Sequence, residues 1–176
     1  MEERINVLKE TLAKAFDISF VNMIIDKLKD LNFFEAPAST KYHGNYAGGL
    51  FDHSFSVMNH LVKLTKDLGL TWERPESPYI VGLFHDLCKC DQYKWDADKN
   101  AYVYAQTLLN GHGEKSIIIA QNILQLTEEE ILCIRWHMGA FDEKENWNLY
   151  GGAIEQYPNV LWTHTADMIA ARIDQT

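Results

Sequence analysis

The sequence has little of three features that would each indicate a particular class of protein. It has three cysteines and no CxxC pair, so neither a disulfide framework nor a zinc site built from thiolates is indicated. No apolar run approaches the ~20 residues that a membrane-spanning helix needs, and the amphipathic N-terminus has no apolar signal core. We therefore expect a reducing, cytoplasmic location and no membrane partner.

Positive charge is also scarce, because 16 Lys and Arg stand against 25 Asp and Glu and give a formal net charge of -9. Long nucleic acids are held through their phosphates by clustered basic residues, so this balance argues against such a partner. A small phosphorylated substrate remains compatible with it, since a bound metal ion would supply local positive charge. Whether the chain forms a homo-oligomer is left open.

The sequence does contain a series of amphipathic helical stripes. Apolar residues recur at spacings of three and four over residues 2–16 and again over residues 21–31. A capping box that begins at Thr127 predicts the start of a later helix. Alternation in QYKWDADKNAYVYAQT predicts one short β-hairpin at about residues 91–107. We expect an all-α helical bundle with this hairpin inserted, in a single domain over residues 1–176.

Two carboxylates lie within apolar helical segments. The doublet His85-Asp86 closes the run YIVGLFHD, and Asp167 lies inside TADMIAARI. A charged carboxylate is costly to bury unless a metal or another cation pairs with it. A divalent ion held by imidazole and carboxylate groups would satisfy both residues. The residues therefore predict a metal site without defining its full ligand set.

The order of these residues resembles that of the HD superfamily, whose members carry His, His-Asp and Asp in this order along a helical bundle. The resemblance covers nearly the whole chain and lies in five segments: GGLFDHS, GLFHDLCK, NGHGEKS, RWHMGAFD and HTADMIA. The chain is similar to small bacterial and phage HD-domain hydrolases and to the HD domain of bacterial 3′-to-5′ exoribonucleases. The exoribonucleases also carry an oligonucleotide-binding domain that this sequence lacks, so exoribonuclease activity is not carried over.

The resemblance implies a site for two divalent ions. The first ion would be held by the residues that match the family's core ligands: His53, His85, Asp86 and Asp167. His112 and His137 match the additional histidines of the two-metal branch, in which the HD aspartate, here Asp86, bridges both ions. The ions expected are Fe, Mn, Zn, Co or Ni, with Mg less favoured, and such a pair can activate a water molecule for phosphoryl transfer.

Several residues are candidates for contact with the substrate, one from the resemblance and the others from their charge or position in the sequence. Lys89 follows the doublet by three positions, as in the HDxxK pattern of many relatives, and is predicted to act with Asp86 in catalysis and to bind phosphate. Other candidate substrate-binding residues flank the ligand segments or lie in the glycine-rich loop STKYHGNYAGG: Lys115, Arg135, Tyr42 and His43.

The implied function is a metal-dependent phosphohydrolase that acts on a nucleotide or another small phosphoester. The same six-ligand order also occurs in diiron oxygenases of the superfamily, which would need iron and consume oxygen. A non-catalytic nucleotide-binding module that has kept its metal site is the second alternative. We favour hydrolysis, because most relatives of this size are hydrolytic.

Overall fold

Eight α-helices and one β-hairpin make up the computed structural model, which describes residues 1–176. The helices are α1 (Glu2–Leu12), α2 (Ile18–Asp30), α3 (Gly49–Leu68), α4 (Ser77–Phe84), α5 (His112–Gln121), α6 (Glu128–Arg135), α7 (Trp147–Gln156) and α8 (Asn159–Ile169). A 3₁₀ turn (Leu87–Cys90) follows α4, and a π-helix (Ala170–Asp174) continues α8. None of the helices has both the length and the apolar character needed to cross a membrane.

The predicted hairpin is present and forms the one sheet of the structure. Strands β1 (Tyr93–Asp96) and β2 (Ala101–Tyr104) pair antiparallel, with Tyr93 opposite Tyr104. The four residues between the strands form the turn, where Asp96 accepts backbone hydrogen bonds. The predicted fold class, all-α with one short hairpin, is therefore confirmed.

Local signals set several helix ends. Asp17 caps α2, since its carboxylate accepts two backbone hydrogen bonds from the first turn. The capping box at Thr127 starts α6 as predicted. The predicted continuation of α1 to Phe16 is wrong, because the helix ends at Leu12 and residues 13–16 form the turn that leads into α2.

Helix α3 packs against both α4 and α8. A cluster of 29 buried hydrophobic residues surrounds these contacts and extends from Leu8 in α1 to Ala170 after α8. Burial of such side chains is the main term that favours folding. The assignment of the whole chain to a single domain stays our proposal, and this shared core supports it.

Two glycines allow close helix contacts beside the candidate ligands. A Cβ on Gly82 would lie 2.4 Å from the Cα of Met58, so α4 approaches the backbone of α3 directly. A Cβ on Gly113 would lie 2.6 Å from the carbonyl oxygen of Arg135, where α5 meets the end of α6. No side chain fits at these distances. The two glycines therefore set the spacing of the helix ends that carry the candidate ligands.

A buried carboxylate, Glu130, ties α4 to α6. It accepts hydrogen bonds from the Arg74 guanidinium at 2.8 and 2.6 Å, from the Ser77 hydroxyl at 2.8 Å and from the Thr127 backbone at 2.9 Å. Ser77 is the first residue of α4, and its hydroxyl donates to Glu130 of another helix instead of capping its own.

Glu130→Ala is expected to lower the free energy of unfolding by about 3 kcal/mol. This value is at the low end of the cost of breaking a buried ion pair, because the partner Arg74 is partly exposed. For a chain of this size that corresponds to a fall in Tm of about 6 to 12 °C, measured by circular dichroism. Glu128→Ala, at an exposed position in the same helical turn, is the matched control. Equal shifts in the two variants would contradict a specific role for Glu130.

Candidate metal centre

The six predicted ligands come from five segments, each at or near the end of a helix. His53 lies in the second turn of α3, His85 and Asp86 directly follow α4, His112 begins α5, His137 follows α6, and Asp167 lies in the last turn of α8. The sequence predicted the doublet inside the last turns of α4. That detail is wrong, because α4 ends at Phe84 and the chain turns at the doublet into the 3₁₀ segment.

One group of ligand atoms lies between α3, α4 and α8. His53 Nε2 is 3.1 Å from Asp167 Oδ1 and 3.5 Å from Asp86 Oδ2. His85 Nε2 is 3.4 Å from the same Asp86 oxygen and 3.9 Å from Asp167 Oδ1. The two imidazole nitrogens are 3.3 Å apart. These atoms surround one small space, an arrangement that suits a divalent ion with nitrogen and oxygen ligands.

The other oxygen of Asp86 faces a second group. Asp86 Oδ1 lies 2.9 Å from His112 Nε2 and 3.5 Å from His137 Nε2. Each carboxylate oxygen of Asp86 therefore faces its own pair of histidines. A carboxylate in this position is suited to a site that holds two neighbouring ions.

Two buried atoms of the cluster have no hydrogen-bond partner, Asp86 Oδ1 and His137 Nε2. The short distances around Oδ1 are therefore not accompanied by hydrogen-bond geometry. A buried polar atom without a partner costs about 1 to 3 kcal/mol, and more if it is charged. A cation beside Oδ1 would be ligated by both atoms, so the residues present fit a metal ion.

Three of the four histidines are oriented by a hydrogen bond between Nδ1 and a main-chain oxygen. The pairs are His85 with Gly82 (2.9 Å), His137 with Ile134 (2.7 Å) and His53 with Thr176 (3.1 Å). When Nδ1 donates the proton to that oxygen, Nε2 presents its lone pair to the centre, as metal binding requires. His112 differs, because its Nδ1 lies 3.4 Å from Cys88 Sγ, which is a weaker acceptor.

Asp86 and Lys89 form a buried ion pair, with Lys89 Nζ 2.6 Å from Asp86 Oδ2. Burial raises the pKa of Asp86, but Lys89 and the neighbouring histidines together outweigh it and hold the pKa well below its usual range. Burial also raises the pKa of Asp167, and contact with His53 and the other histidines more than reverses it. Both carboxylates are therefore ionised at neutral pH, the state in which they bind a cation.

Four of the six candidate ligands, Asp86, His112, His137 and Asp167, line a cavity of about 250 Å³. Lys89 and the predicted contacts Tyr42 and His43 line it as well. Tyr42 is 77% exposed at the mouth, whereas the His43 ring packs on His53 with the centroids 4.9 Å apart. Burial lowers the pKa of His43 to about 4, so its imidazole is neutral at pH 7. The structure thus brings three of the predicted substrate contacts to the cluster, and their roles stay predictions.

A larger cavity of about 620 Å³ lies between the N-terminal helix and the hairpin. Its lining contains no histidine and none of the predicted ligands. The candidate ligands in the lining of the smaller cavity therefore identify it as the candidate site, although the larger cavity has the volume more typical of a ligand site.

Lys115 and Arg135 do not line the cavity over the cluster. Lys115 is buried and forms an ion pair with Asp91. Arg135 pairs with Glu114 and with Asp142, each at 2.7 Å. Both basic groups are paired with carboxylates that lie outside this cavity, so the geometry lends no support to their predicted contact with phosphate.

Two residues near the cluster were not predicted, Cys88 and Arg172. Cys88 stands two positions after Asp86, and this proximity to a candidate ligand is the signal that the sequence offers for it. Arg172 follows Asp167 by five positions, which on an α-helix would separate the two side chains by about 140°. Both residues nevertheless line the same cavity, where α8 continues into the π-helix.

The fold and the site together define a helical protein with a buried cluster of histidines and aspartates suited to divalent ions. A family model described as HD domain matches residues 50–176, which is most of the chain. The chain belongs to the HD domain family, as predicted, and this family consists in general of metal-dependent hydrolases that bind divalent ions.

Comparison with curated proteins and with solved structures found no match. The predicted likeness to the HD domain of exoribonucleases therefore stays a prediction. The family assignment depends on the HD domain match, and the candidate ligands depend on the geometry described above.

Proposed function

We propose that this protein is a metal-dependent phosphohydrolase that acts on a nucleotide or another small phosphoester. The observation that carries the proposal is the position of Asp86, which lines a cavity and whose two oxygens face separate pairs of histidines. Lys89 beside it adds a positive charge that a phosphate group can meet. The general activity of the family, metal-dependent hydrolysis, agrees with this proposal.

The proposed ligands form two sets that share Asp86. The first set is His53, His85, Asp86 and Asp167, and the second is Asp86, His112 and His137. Imidazole with carboxylate favours Fe, Mn, Zn, Co or Ni over Mg, which prefers oxygen ligands and water. When bound, such ions activate water and stabilise the charge that develops in phosphoryl transfer.

Side chains of the cavity would bind and orient the substrate. Lys89 is 8% exposed and lines the cavity, so its ammonium group can reach a phosphate oxygen while it stays close to Asp86. The neutral imidazole of His43 can donate or accept one hydrogen bond. Tyr42 offers a hydroxyl and an exposed aromatic ring at the mouth. Asp86 and Lys89 are the proposed catalytic pair, and the other two residues are proposed substrate contacts.

The proposal is tested in two steps. The metal content of protein purified without chelator is measured first, and nucleotides and phosphoesters are then screened as substrates under anaerobic conditions. We expect about two ions per chain and release of phosphate or nucleotide that depends on manganese, cobalt or similar ions. Oxygen consumption with iron would favour the diiron oxygenase instead. Tight nucleotide binding without turnover would favour the non-catalytic module. Fewer than one ion per chain after reconstitution would contradict the two-ion site.

Cys88 allows the second ion to be tested separately from the first. Its sulfur is buried and lies 3.4 Å from His112 Nδ1. We expect Cys88→Ala to weaken binding of the second ion about 10- to 100-fold, because groups that orient a ligand histidine commonly contribute that much. The affinity of the first ion should change little, since its histidines are oriented by main-chain oxygens.

Calorimetric titration of the metal-free protein with manganese would give both affinities. Cys90→Ala is the matched control, because this thiol is also buried and lies in the same 3₁₀ segment. If the two cysteine variants bound the second ion equally well, Cys88 would have no positioning role.

A further inference from the structure

Arg172 is the one arginine of the chain that pairs with no carboxylate. The other three form ion pairs: Arg4 with Asp52, Arg74 with Glu130, and Arg135 with Glu114 and Asp142. Arg172 instead lines the cavity over the candidate metal centre. A guanidinium group without a partner can bind a phosphate through two parallel hydrogen bonds, which a lysine cannot do.

The segment that carries Arg172 is attached to α3. Asp174 accepts a hydrogen bond from the Ser56 hydroxyl at 2.7 Å and lies 2.6 Å from His60 Nε2. These contacts join the end of the π-helix to the helix that carries His53. Short π-helical turns occur frequently at functional sites, where they reposition side chains. The backbone of Arg172 is thus held beside the mouth of the cavity.

A second cavity adjoins the first, and Arg172 lies at the boundary between them. The second cavity has a volume of about 460 Å³ and shares four lining residues with the first: Tyr42, His43, Ala171 and Arg172. The rest of its lining is neutral and includes Asn45, Tyr46 and Gln175. The first cavity, about 250 Å³, is smaller than the roughly 300 to 1,000 Å³ typical of ligand sites. A substrate of ordinary size must therefore extend beyond the first cavity.

Another cavity also adjoins the first, at His112, Met138 and Phe141, but its lining contains the carboxylates of Glu114, Asp142 and Glu143, which disfavour an anionic substrate. The side past Arg172 has a neutral lining and an unpaired cation, so it suits a phosphorylated substrate better.

We propose that the substrate carries at least two phosphate groups joined by an anhydride bond, with the terminal phosphate at the metal centre and the next phosphate on Arg172. The organic part lies in the second cavity, against the aromatic rings of Tyr42 and Tyr46. This inference rests on the proposed phosphohydrolase function and deepens it by naming the substrate class.

The reaction consumes one water molecule. The water oxygen forms a bond to the terminal phosphorus, and the bond from that phosphorus to the bridging oxygen breaks. The bridging oxygen leaves with the shortened chain, and the protons of the water are distributed among inorganic phosphate, the leaving phosphate and solvent. No oxidant, reductant or second substrate is needed.

The inference is tested by comparing metal-loaded wild type with the variant Arg172→Gln. Each is assayed for hydrolysis of a nucleoside diphosphate and of the monophosphate with the same base. We expect the variant to lower kcat/KM for the diphosphate about 10- to 100-fold, mainly through a higher KM, because a charged hydrogen-bonding group is lost. The monophosphate should change less than about twofold. Arg172→Lys should restore only part of the loss, since it keeps the charge without the paired hydrogen bonds.

Lys66→Gln is the matched control, because it removes one positive charge from an exposed position near the end of α3. It should leave both substrates unaffected. Equal losses for the two substrates in Arg172→Gln would overturn the inference, and so would an unchanged diphosphate reaction.

If the wild type released no phosphate from any substrate, the proposed function would fail, and equilibrium binding would decide the role of Arg172. Inorganic phosphate and pyrophosphate are then titrated into metal-loaded protein at equal free metal concentration. We expect Arg172→Gln to weaken pyrophosphate binding about 10- to 100-fold and phosphate binding little. Equal effects on both anions, or no pyrophosphate binding to the wild type, would overturn the inference.

Discussion

Asp86→Asn is expected to lower kcat/KM by at least about 10³-fold and to remove most of the bound metal, since ionic stabilisation of phosphoryl transfer contributes several kcal/mol. Asn keeps the volume of the side chain and one oxygen, but it loses the charge that both groups of histidines face. Metal analysis and initial rates on the same preparation would measure the two losses together.

The same substitution removes the partner of Lys89, whose ammonium group lies 2.6 Å from Asp86 Oδ2. Leaving a buried charge without its partner costs about 3 to 5 kcal/mol, so Asp86→Asn is also expected to unfold at lower temperature. The double variant Asp86→Asn/Lys89→Gln removes both charges and should recover part of that stability. If the double variant is folded and still lacks metal, the loss of metal belongs to the missing ligand and not to misfolding.

Asp98→Asn serves as the control for Asp86→Asn, because Asp98 lies at an exposed position in the hairpin turn. It should match the wild type in metal content and rate. Retention of metal and of activity within about tenfold by Asp86→Asn would contradict the central role of this carboxylate, since tenfold corresponds to only about 1.4 kcal/mol.

Removal of metal by a chelator is expected to abolish activity and to lower Tm by about 8 to 16 °C. An ion present at 1,000 times its Kd stabilises the folded state by about 4.1 kcal/mol, and each kcal/mol shifts Tm by about 2 to 4 °C in a chain of this size. The effect is large because Asp86 Oδ1 and His137 Nε2 are buried without other partners. Differential scanning calorimetry with and without chelator would measure the shift.

Asp86→Asn also provides the control for the chelator. A variant that binds no metal should show the same Tm with and without chelator, which excludes an effect of the chelator on the rest of the chain. Restoration of Tm and of activity by added manganese or cobalt should follow in the wild type. An unchanged Tm and rate after complete removal of metal would contradict the proposed site.

Helix starts and the hairpin were predictable because their signals are local. Asp17 and Thr127 cap their helices through contacts within the first turn. Polar and apolar residues alternate in the strands at residues 93–96 and 101–104, and turn-forming residues lie between the two strands. The end of α1 was missed, since the apolar stripe continues to Phe16 although the helix stops at Leu12.

The ion-pair partners of Lys115 and Arg135, unlike the helix starts, could not be predicted from local signals. Lys115 pairs with Asp91 and Arg135 with Asp142, and no pattern within the ligand segments indicates these pairs. Both basic residues stood next to candidate ligands in the sequence, which made them plausible phosphate contacts. Folding instead brought a carboxylate to each of them, because burial of an unpaired charge is costly.

The order of histidines and aspartates in five short segments was enough to identify the HD domain family and the helical fold class. Each segment is recognisable from its own residues, whatever it contacts in the folded chain. How the segments meet depends on contacts between residues far apart in the chain. The close approaches at Gly82 and Gly113 bring the helix ends together, so that each oxygen of Asp86 faces its own pair of histidines. The unpaired Arg172, in the π-helix after α8, lines the same cavity through packing that no local sequence signal predicts.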